Sequence, residues 1–370
     1  MDKPTLFQER LRQARIERIA VIKPSALGDV VQTLPLLECL KSVFPGSHIS
    51  WVINRELKSL LAAHPDIDDL LVFDRRGSWR NSMELWQGLR RGRFDLVLDL
   101  QGLLRTALMT WATQAPFRIG LETAREGSAA ACHLLIPDTG REVPAHERYW
   151  RVATWLSPLS PQPISHTAPR IPVPVDFEDL NWAQTQLVNL PRPLLAIHAG
   201  AKWVTKRWPA AKFGLVARMF LARTGGTLLL VGGPDDAPLA AEMIEHLDDT
   251  PRPPRYLNLA GRTSLPRLAA VLAQSDLLLS NDSGPLHLAA AQGTPVVGLY
   301  TCTSEKLSGP AGTGHRLLSA PVPCAASYRK QCSHTGDLHH CCFDSILVEQ
   351  VWAAVAAQFS LSPAAAARSA

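Results

Sequence analysis

Short apolar runs alternate with longer amphipathic or Ala-rich stretches along most of this 370-residue chain, and polar turns separate them. In the first half, Ile19 to Lys23, Ile49 to Ile53, Asp69 to Phe73 and Phe94 to Leu100 are apolar runs of strand length. Between them, Val30 to Leu40, Leu57 to Ala63 and Ser82 to Arg91 carry helical spacing. The second half repeats the rhythm, with strands at Leu194 to His198, Thr227 to Val231, Leu277 to Leu279 and Val296 to Tyr300. Its helices fall at Ala210 to Ala222, Ala237 to Leu247, Leu265 to Gln274 and Val348 to Phe359. Strands alternating with helices predict the α/β class, a doubly wound parallel sheet in each half.

The rhythm breaks between Leu156 and Pro193. Pro158, Pro161, Pro163, Pro169, Pro172 and Pro174 are too dense for a helix or a central strand, which predicts an extended linker, with a helix leading onward over Asp176 to Asn189. The expected division is an N-terminal Rossmann-like domain over residues 1–165, a Pro-rich linker over 166–192 and a second Rossmann-like domain over 193–350. A terminal helix and frayed tail complete it over 351–370.

The most informative stretch runs from Ser280 to Ala291, Ser-Asn-Asp-Ser-Gly-Pro-Leu-His-Leu-Ala-Ala-Ala, between two apolar strands. Asp282 or Ser283 can cap the Ala-rich helix, and Pro285 in its first turn gives up only an N–H that lacks a helical partner. Gly284 lets another group approach the backbone, and the open amides there favour an anion such as a diphosphate. His287 sits one turn in and can donate to the same anion. A capped helix with a buried histidine is the competing interpretation of these residues alone. Near the N-terminus, a strand, the turn Pro24-Ser25-Ala26-Leu27-Gly28 and a helix place Asp29 at the carboxyl end of a strand, where ligand sites in open α/β sheets lie. There Asp29 is either a helix cap or a reactive carboxylate. At a helix N-terminus it is expected to stay ionised and able to accept a proton.

Composition narrows the classes. The chain is 46% hydrophobic and 19% charged with a net charge of +5, as befits a globular protein. With no apolar run of spanning length and a charged N-terminus, a cytoplasmic location is expected. Leu71 to Arg118 holds eight Arg, no Lys and four acidic residues, but no nucleic-acid-binding signature accompanies it, so no nucleic-acid partner is expected. Seven cysteines in a chain without a leader argue for reduced thiols. Cys324, Cys332, Cys341 and Cys342 crowd one segment with His334, His339 and His340, yet without the paired C-x2-C spacing of a structural zinc site. No metal is therefore expected, and elemental analysis for zinc checks that. Asp66-Ile67-Asp68-Asp69 matches an Asp-x-Asp metal signature in letters only, and is expected to be a solvated turn.

Four motifs in order carry a family resemblance. They are Lys23-Pro24-Ser25-Ala26-Leu27-Gly28-Asp29; Asp99-Leu100-Gln101-Gly102-Leu103-Leu104-Arg105; His198-Ala199-Gly200-Ala201 with Lys206-Arg207-Trp208-Pro209; and Asn281-Asp282-Ser283-Gly284-Pro285-Leu286-His287. From about Ile19 to Trp352 the chain resembles glycosyltransferase family 9, the lipopolysaccharide heptosyltransferases. The resemblance implies a GT-B fold, two Rossmann-like domains facing across a cleft. It also implies transfer of heptose from ADP-heptose to the Kdo/heptose inner core of lipopolysaccharide, with inversion at the anomeric carbon and no metal cofactor.

By position, the resemblance makes Asp29 the general base and Lys206 the contact to the donor diphosphate. Asp282, Ser283, Gly284 and His287 form the diphosphate end of the pocket, and Gly200 and Ala201 lie by the nucleotide. Thr263 and Asp235 or Asp236 match nucleotide-side positions loosely. Family members often carry a hydroxyl residue where this chain has Gly200 and Ala201. The Cys/His segment is similar to one in many second-heptose enzymes, with Ser327 in place of a cysteine. Ser25, Gly28, Gln101 and Arg105 are the expected acceptor-side residues, with Arg75, Arg76 and Arg80 as second choices for an acidic lipid A-Kdo or heptosylated acceptor. The expected protein is a monomer with peripheral contact to the inner membrane. Competing functions are transfer of another nucleotide-activated sugar, a GT-B-like sugar-nucleotide epimerase, and a non-catalytic sugar-nucleotide or glycolipid binder.

Overall fold

The computed structural model describes residues 3–75, 77–247 and 255–360. The chain divides into two compact units, Met1–Pro174 and Val175–Ala370. In the first, strands β1 (Arg18–Ile22), β2 (His48–Asn54), β3 (Asp69–Phe73), β4 (Leu96–Asp99), β5 (Phe117–Leu121) and β6 (Leu134–Ile136) form one sheet. Its order is β3-β2-β1-β4-β5-β6 and every pairing is parallel. The second holds β7 (Leu194–His198), β8 (Thr227–Leu230), β9 (Tyr256–Asn258), β10 (Leu277–Asn281), β11 (Val296–Tyr300) and β12 (Arg316–Ser319). Their order, β12-β11-β10-β7-β8-β9, is again parallel throughout.

Both sheets therefore share one topology, 3-2-1-4-5-6 within each unit. Helices cover both faces, so the central strands are buried on every side chain: Ile19 to Ile22 and Leu277 to Asn281 are excluded from solvent. The sheet order reverses between β1 and β4 in the first unit and between β7 and β10 in the second. Loops leaving those four strands at their carboxyl ends line the two switch points, where open α/β sheets bind ligands.

One departure from the sequence pattern has a physical cause. The helix expected over Val30 to Leu40 is two helices, Leu27–Thr33 and Pro35–Val43, because Pro35 cannot donate the N–H that would continue the first. Asp29 thus lies inside a first helical turn. The helix expected over Asp176 to Asn189, after the run of prolines, is Phe177–Leu187. Its start is capped by Asp176, whose carboxylate accepts the Asp179 N–H at 2.9 Å. That helix packs on Leu265–Gln274 of the second unit, where Arg267 Nε lies 2.9 Å from Asp179 Oδ1. The last helix, expected over Val348 to Phe359, is Val348–Ser360 and lies on Ala210–Thr224; of the tail expected to fray from Ser360 to Ala370, residues 361–370 are outside the described residues.

Candidate active site

In the first unit, β1 ends in Lys23-Pro24-Ser25-Ala26, and the helix Leu27–Thr33 begins on buried Gly28 and carries Asp29 in its first turn. Asp29 Oδ2 accepts the Ala26 N–H at 3.2 Å, a reach back that satisfies one amide the helix start leaves over. Its other oxygen, Oδ1, accepts the Tyr149 hydroxyl at 2.8 Å. Tyr149 is buried on the helix Ala145–Leu156, which packs against both Leu27–Thr33 and Pro35–Val43. Burial and the neighbouring Asp29 charge push the phenol well above its ordinary range, so it remains a proton donor to the carboxylate.

Lys23 completes this group. It is 3% exposed, with Nζ 4.0 Å from Asp29 Oδ2 and 4.9 Å from the centre of the Tyr149 ring. Burial pulls the ammonium pKa down, and the carboxylates of Asp29 and Asp99 work against that. Ser25 lies half-buried in the same turn.

The adjacent switch-point loop is built by Asp99 at the end of β4. Asp99 Oδ1 accepts the N–H groups of Gln101 and Gly102 at 3.1 and 3.0 Å, closing a tight turn. Gly102 has φ +64, and a Cβ there would meet the Ala124 backbone at 2.9 Å, so only glycine fits. The turn delivers Gln101 and Arg105. Gln101 Oε1 and Arg105 Nε are buried and have no hydrogen-bond partner among the described residues. Of the second choices, Arg75 is exposed and Arg80 is exposed with its guanidinium 5.7 Å from the Trp79 ring centre; Arg76 lies outside the described residues. The Asp-x-Asp letters are absorbed structurally. Asp68 Oδ2 accepts from Ile49 N at 2.7 Å and from Lys41 Nζ at 3.1 Å, and Asp69 Oδ2 sits 2.7 Å from His48 Nε2.

In the second unit, the loop after β7 carries Gly200, Ala201 and Lys206, and the loop after β10 carries Asp282 and Ser283. Lys206 Nζ donates to Asp282 Oδ2 at 2.6 Å, and the Thr303 hydroxyl donates to the same oxygen at 2.6 Å. His287 Nε2 lies 4.0 Å from Asp282 Oδ1. Asp282 is 4% exposed and Lys206 18%, so a buried carboxylate holds a lysine that still reaches solvent.

Neither expected helix cap acts as one. Asp282 is committed to Lys206 and Thr303. Ser283 occupies the N-cap position of the helix Gly284–Ala291 without a side-chain bond to its amides. Its hydroxyl instead lies 3.0 Å from His198 Nδ1 and 3.2 Å from Ser280 Oγ. The first amides of that helix are therefore not claimed by its cap side chain, which suits an incoming anion.

His198 turns from Ser283 on one side to Asp236 on the other, its Nε2 3.3 Å from Asp236 Oδ2. The Asp236 carboxyl is also bonded by the Gly233 N–H at 2.8 Å. Burial works to raise its pKa, but the bond and charge of His198 and the Gly233 amide outweigh that and hold it below the ordinary carboxylate value. Here lies the reason for glycine at 200: a Cβ there would come within 1.9 Å of Asp236 Oδ1. The acidic side chain fills the space that a hydroxyl residue at 200 would need. Ala201 is buried, its carbonyl accepting from Arg207 Nε at 2.6 Å. Thr263 is half-buried in the loop between β9 and the helix Leu265–Gln274, at the carboxyl end of the same sheet.

The structure thus brings Lys206, Asp282, Ser283 and His287 into one cluster in the second unit, and Asp29 into another in the first. Sequence reasoning missed Tyr149, Thr303 and the positions of Lys23 and His198 against their carboxylates. The signal for Lys23 was its place as the charged end of an apolar strand. Tyr149 lies 120 positions from Asp29, and nothing local marks it.

Two six-stranded Rossmann-type sheets with charged switch points define a GT-B glycosyltransferase architecture. ADP-heptose lipopolysaccharide heptosyltransferase II of Escherichia coli shares this fold with a TM-score of 0.71 at 22% identity, over 93% of this chain and 98% of that one. The model of glycosyltransferase family 9 (heptosyltransferase) matches residues 82–337, and the chain belongs to that family. It is 29% identical to lipopolysaccharide heptosyltransferase 1 of Pseudomonas aeruginosa over 86% of this chain and 88% of the relative. A glycosyl transferase family 9 structure from Veillonella parvula superposes with a TM-score of 0.78 at 26% identity, covering 95% of this chain and 99% of that one.

Proposed function

We propose that the enzyme moves heptose from ADP-heptose to the Kdo/heptose inner core of lipopolysaccharide, with inversion. Lys206 carries this reading: an ammonium fixed at 2.6 Å on the buried Asp282, in the loop that precedes a helix whose N-cap side chain takes none of its amides. Those are the groups a departing diphosphate requires. As the acceptor hydroxyl bonds to the anomeric carbon, the bond from that carbon to the phosphate oxygen breaks. ADP leaves with the electron pair, and the hydroxyl proton passes to Asp29. Tyr149 steadies the carboxylate for that transfer by holding Oδ1.

The unit Met1–Pro174 is the acceptor side in this reading, with Ser25, Gly28, Gln101 and Arg105 around the acceptor; Val175–Ala370 is the donor side. Gly200, Ala201 and Thr263 lie along the nucleotide, and Ser283, Gly284 and His287 along its phosphates. Lysine and helix amides neutralise the leaving charge, so the transfer step needs no added divalent ion, which turnover in buffer without magnesium or manganese checks. Among the described residues no helix is long and apolar enough to cross a membrane. The acidic acceptor and the Arg-rich stretch from Leu71 to Arg118 favour a peripheral contact, and salt-insensitive liposome binding would count against an electrostatic one.

Incubation with ADP-heptose and a panel of Kdo and heptose acceptors, with products read by mass spectrometry, tests the reading. Heptosylated acceptor supports it. Turnover of donor alone would mark an epimerase, transfer only from another nucleotide sugar a different donor, and binding without product a non-catalytic protein.

A further inference from the structure

The Cys/His segment lies outside the chemistry above, and its geometry is that of a ligand set. Cys332, His339 and His340 each offer one ligating atom, and the three atoms lie within 4.8 Å of one another. Two contacts prepare them. The His340 backbone N–H points at Cys332 Sγ at 3.4 Å. His339 Nδ1 lies 2.9 Å from the His334 carbonyl, which requires the proton on Nδ1 and leaves the Nε2 lone pair for a ligand. His340 itself is held at φ +57, in the left-handed region that non-glycine residues seldom enter. Cys341 follows His340 in the chain, its Sγ is 3.9 Å from that of Cys324, and both thiols are free.

We propose that Cys332, His339 and His340 bind a divalent cation of the zinc or ferrous type, with a thiolate of the Cys324–Cys341 pair as fourth ligand. Mixed sulfur and imidazole donors select such ions over magnesium or calcium. Metal–sulfur and metal–nitrogen bonds near 2.3 and 2.0 Å place tetrahedral ligands roughly 3.5 Å apart, so binding draws the trio inward by about an ångström. Spacing along the chain hid the group because its members come from separate turns, residue 332 and the pair after Gly336–Leu338.

The site has structural reach. Between Cys324 and Cys332, the Arg329 carbonyl accepts the Thr205 hydroxyl at 2.7 Å, and Lys330 Nζ lies 5.9 Å from the Trp203 ring centre. Thr205 precedes Lys206, so the ion ties down the stretch that braces the lysine loop.

Untagged full-length protein, purified without chelators, is analysed for zinc and iron, then stripped and titrated with cobalt(II). The proposal expects about one zinc or iron per chain and, with cobalt, a thiolate charge-transfer band and tetrahedral d–d bands. Cys332→Ser and His340→Ala should each lose the metal and the band, while Cys39→Ser, buried in the first unit, should keep both. Sub-stoichiometric metal together with no cobalt band overturns the proposal. So does stoichiometric metal that survives both substitutions, or a disulfide between Cys324 and Cys341 in the freshly isolated protein. None of these readouts depends on the transferase reaction.

Discussion

The two switch points hold the same pair of residue types with the exposures reversed. In the first unit Lys23 is 3% exposed and its carboxylate partner Asp29 is 36% exposed. In the second, Asp282 is 4% exposed and Lys206 is 18% exposed. In each pair the inner member is buried and the outer one reaches solvent. One unit therefore leaves a carboxylate and the other an ammonium as the more exposed partner, from a shared sheet topology. The pairing is also looser at Asp29, 4.0 Å against 2.6 Å at Lys206, and a tyrosine rather than the lysine makes the short bond to the carboxylate.

The largest expected effect tests the outer carboxylate. Asp29→Asn should lower turnover by roughly 10²-fold or more with donor affinity nearly unchanged, because a general base acts in the transition state and not in donor binding. Steady-state kinetics with calorimetric ADP binding decides it, and near-normal turnover removes the assignment. Lys206→Ala should impair both turnover and donor affinity. It also strands a buried carboxylate, at a cost of up to about 3 kcal/mol in denaturant unfolding, the lower end for a broken buried pair. Adding Asp282→Asn to that variant should recover part of the lost stability but none of the activity.

Tyr149→Phe sharpens the contrast between the pairs. A hydrogen bond to a charged group is worth about 1.5 kcal/mol or more, so turnover should fall roughly tenfold with the donor KM unmoved. A rise in donor KM alone would show that Tyr149 does not serve Asp29. Smaller still, Gly200→Ser should destabilise the second unit by about 1–3 kcal/mol through overpacking against Asp236. The same substitution in an Asp236→Ala background should cost much less, and additive costs would separate the two positions.

The smallest effect is on the acid side. The Asp236 carboxyl lies below its ordinary value of 3.8 in the folded chain. Between the folded and unfolded values the unfolded chain binds more protons, so this stabilisation is present above about pH 4 and is lost as pH falls further. Asp236→Asn should flatten the decline in unfolding free energy below about pH 4; an unchanged slope would assign the decline to other groups.

What the sequence revealed followed how locally each feature is encoded. Central strands such as Leu194–His198 were legible because both faces are buried and the run is continuously apolar. Strands β5, β6 and β12 were not, being short, interrupted by Arg118 or half-exposed. Asp282, Ser283 and His287 sit within the contiguous stretch from Asn281 to His287, which its sequence pattern singles out, while Lys206 comes from the loop after β7. Partners are not singled out in this way: Thr303 and His198 reach Asp282 and Asp236 through sheet neighbours that no spacing along the chain reports. Asp29 was legible as a strand-end carboxylate, whereas its phenol comes from a helix fixed only by packing.

That distance has a bearing on how the protein is made. The strands and turns around Asp29, from β1 through β6, have all emerged by residue 136, yet the tyrosine arrives on the helix Ala145–Leu156. A nascent chain can thus assemble the whole first sheet and still display a carboxylate without its phenolic partner. Only docking of that late helix supplies the phenol that bonds Asp29 Oδ1, so chains ending before it keep the carboxylate without that partner.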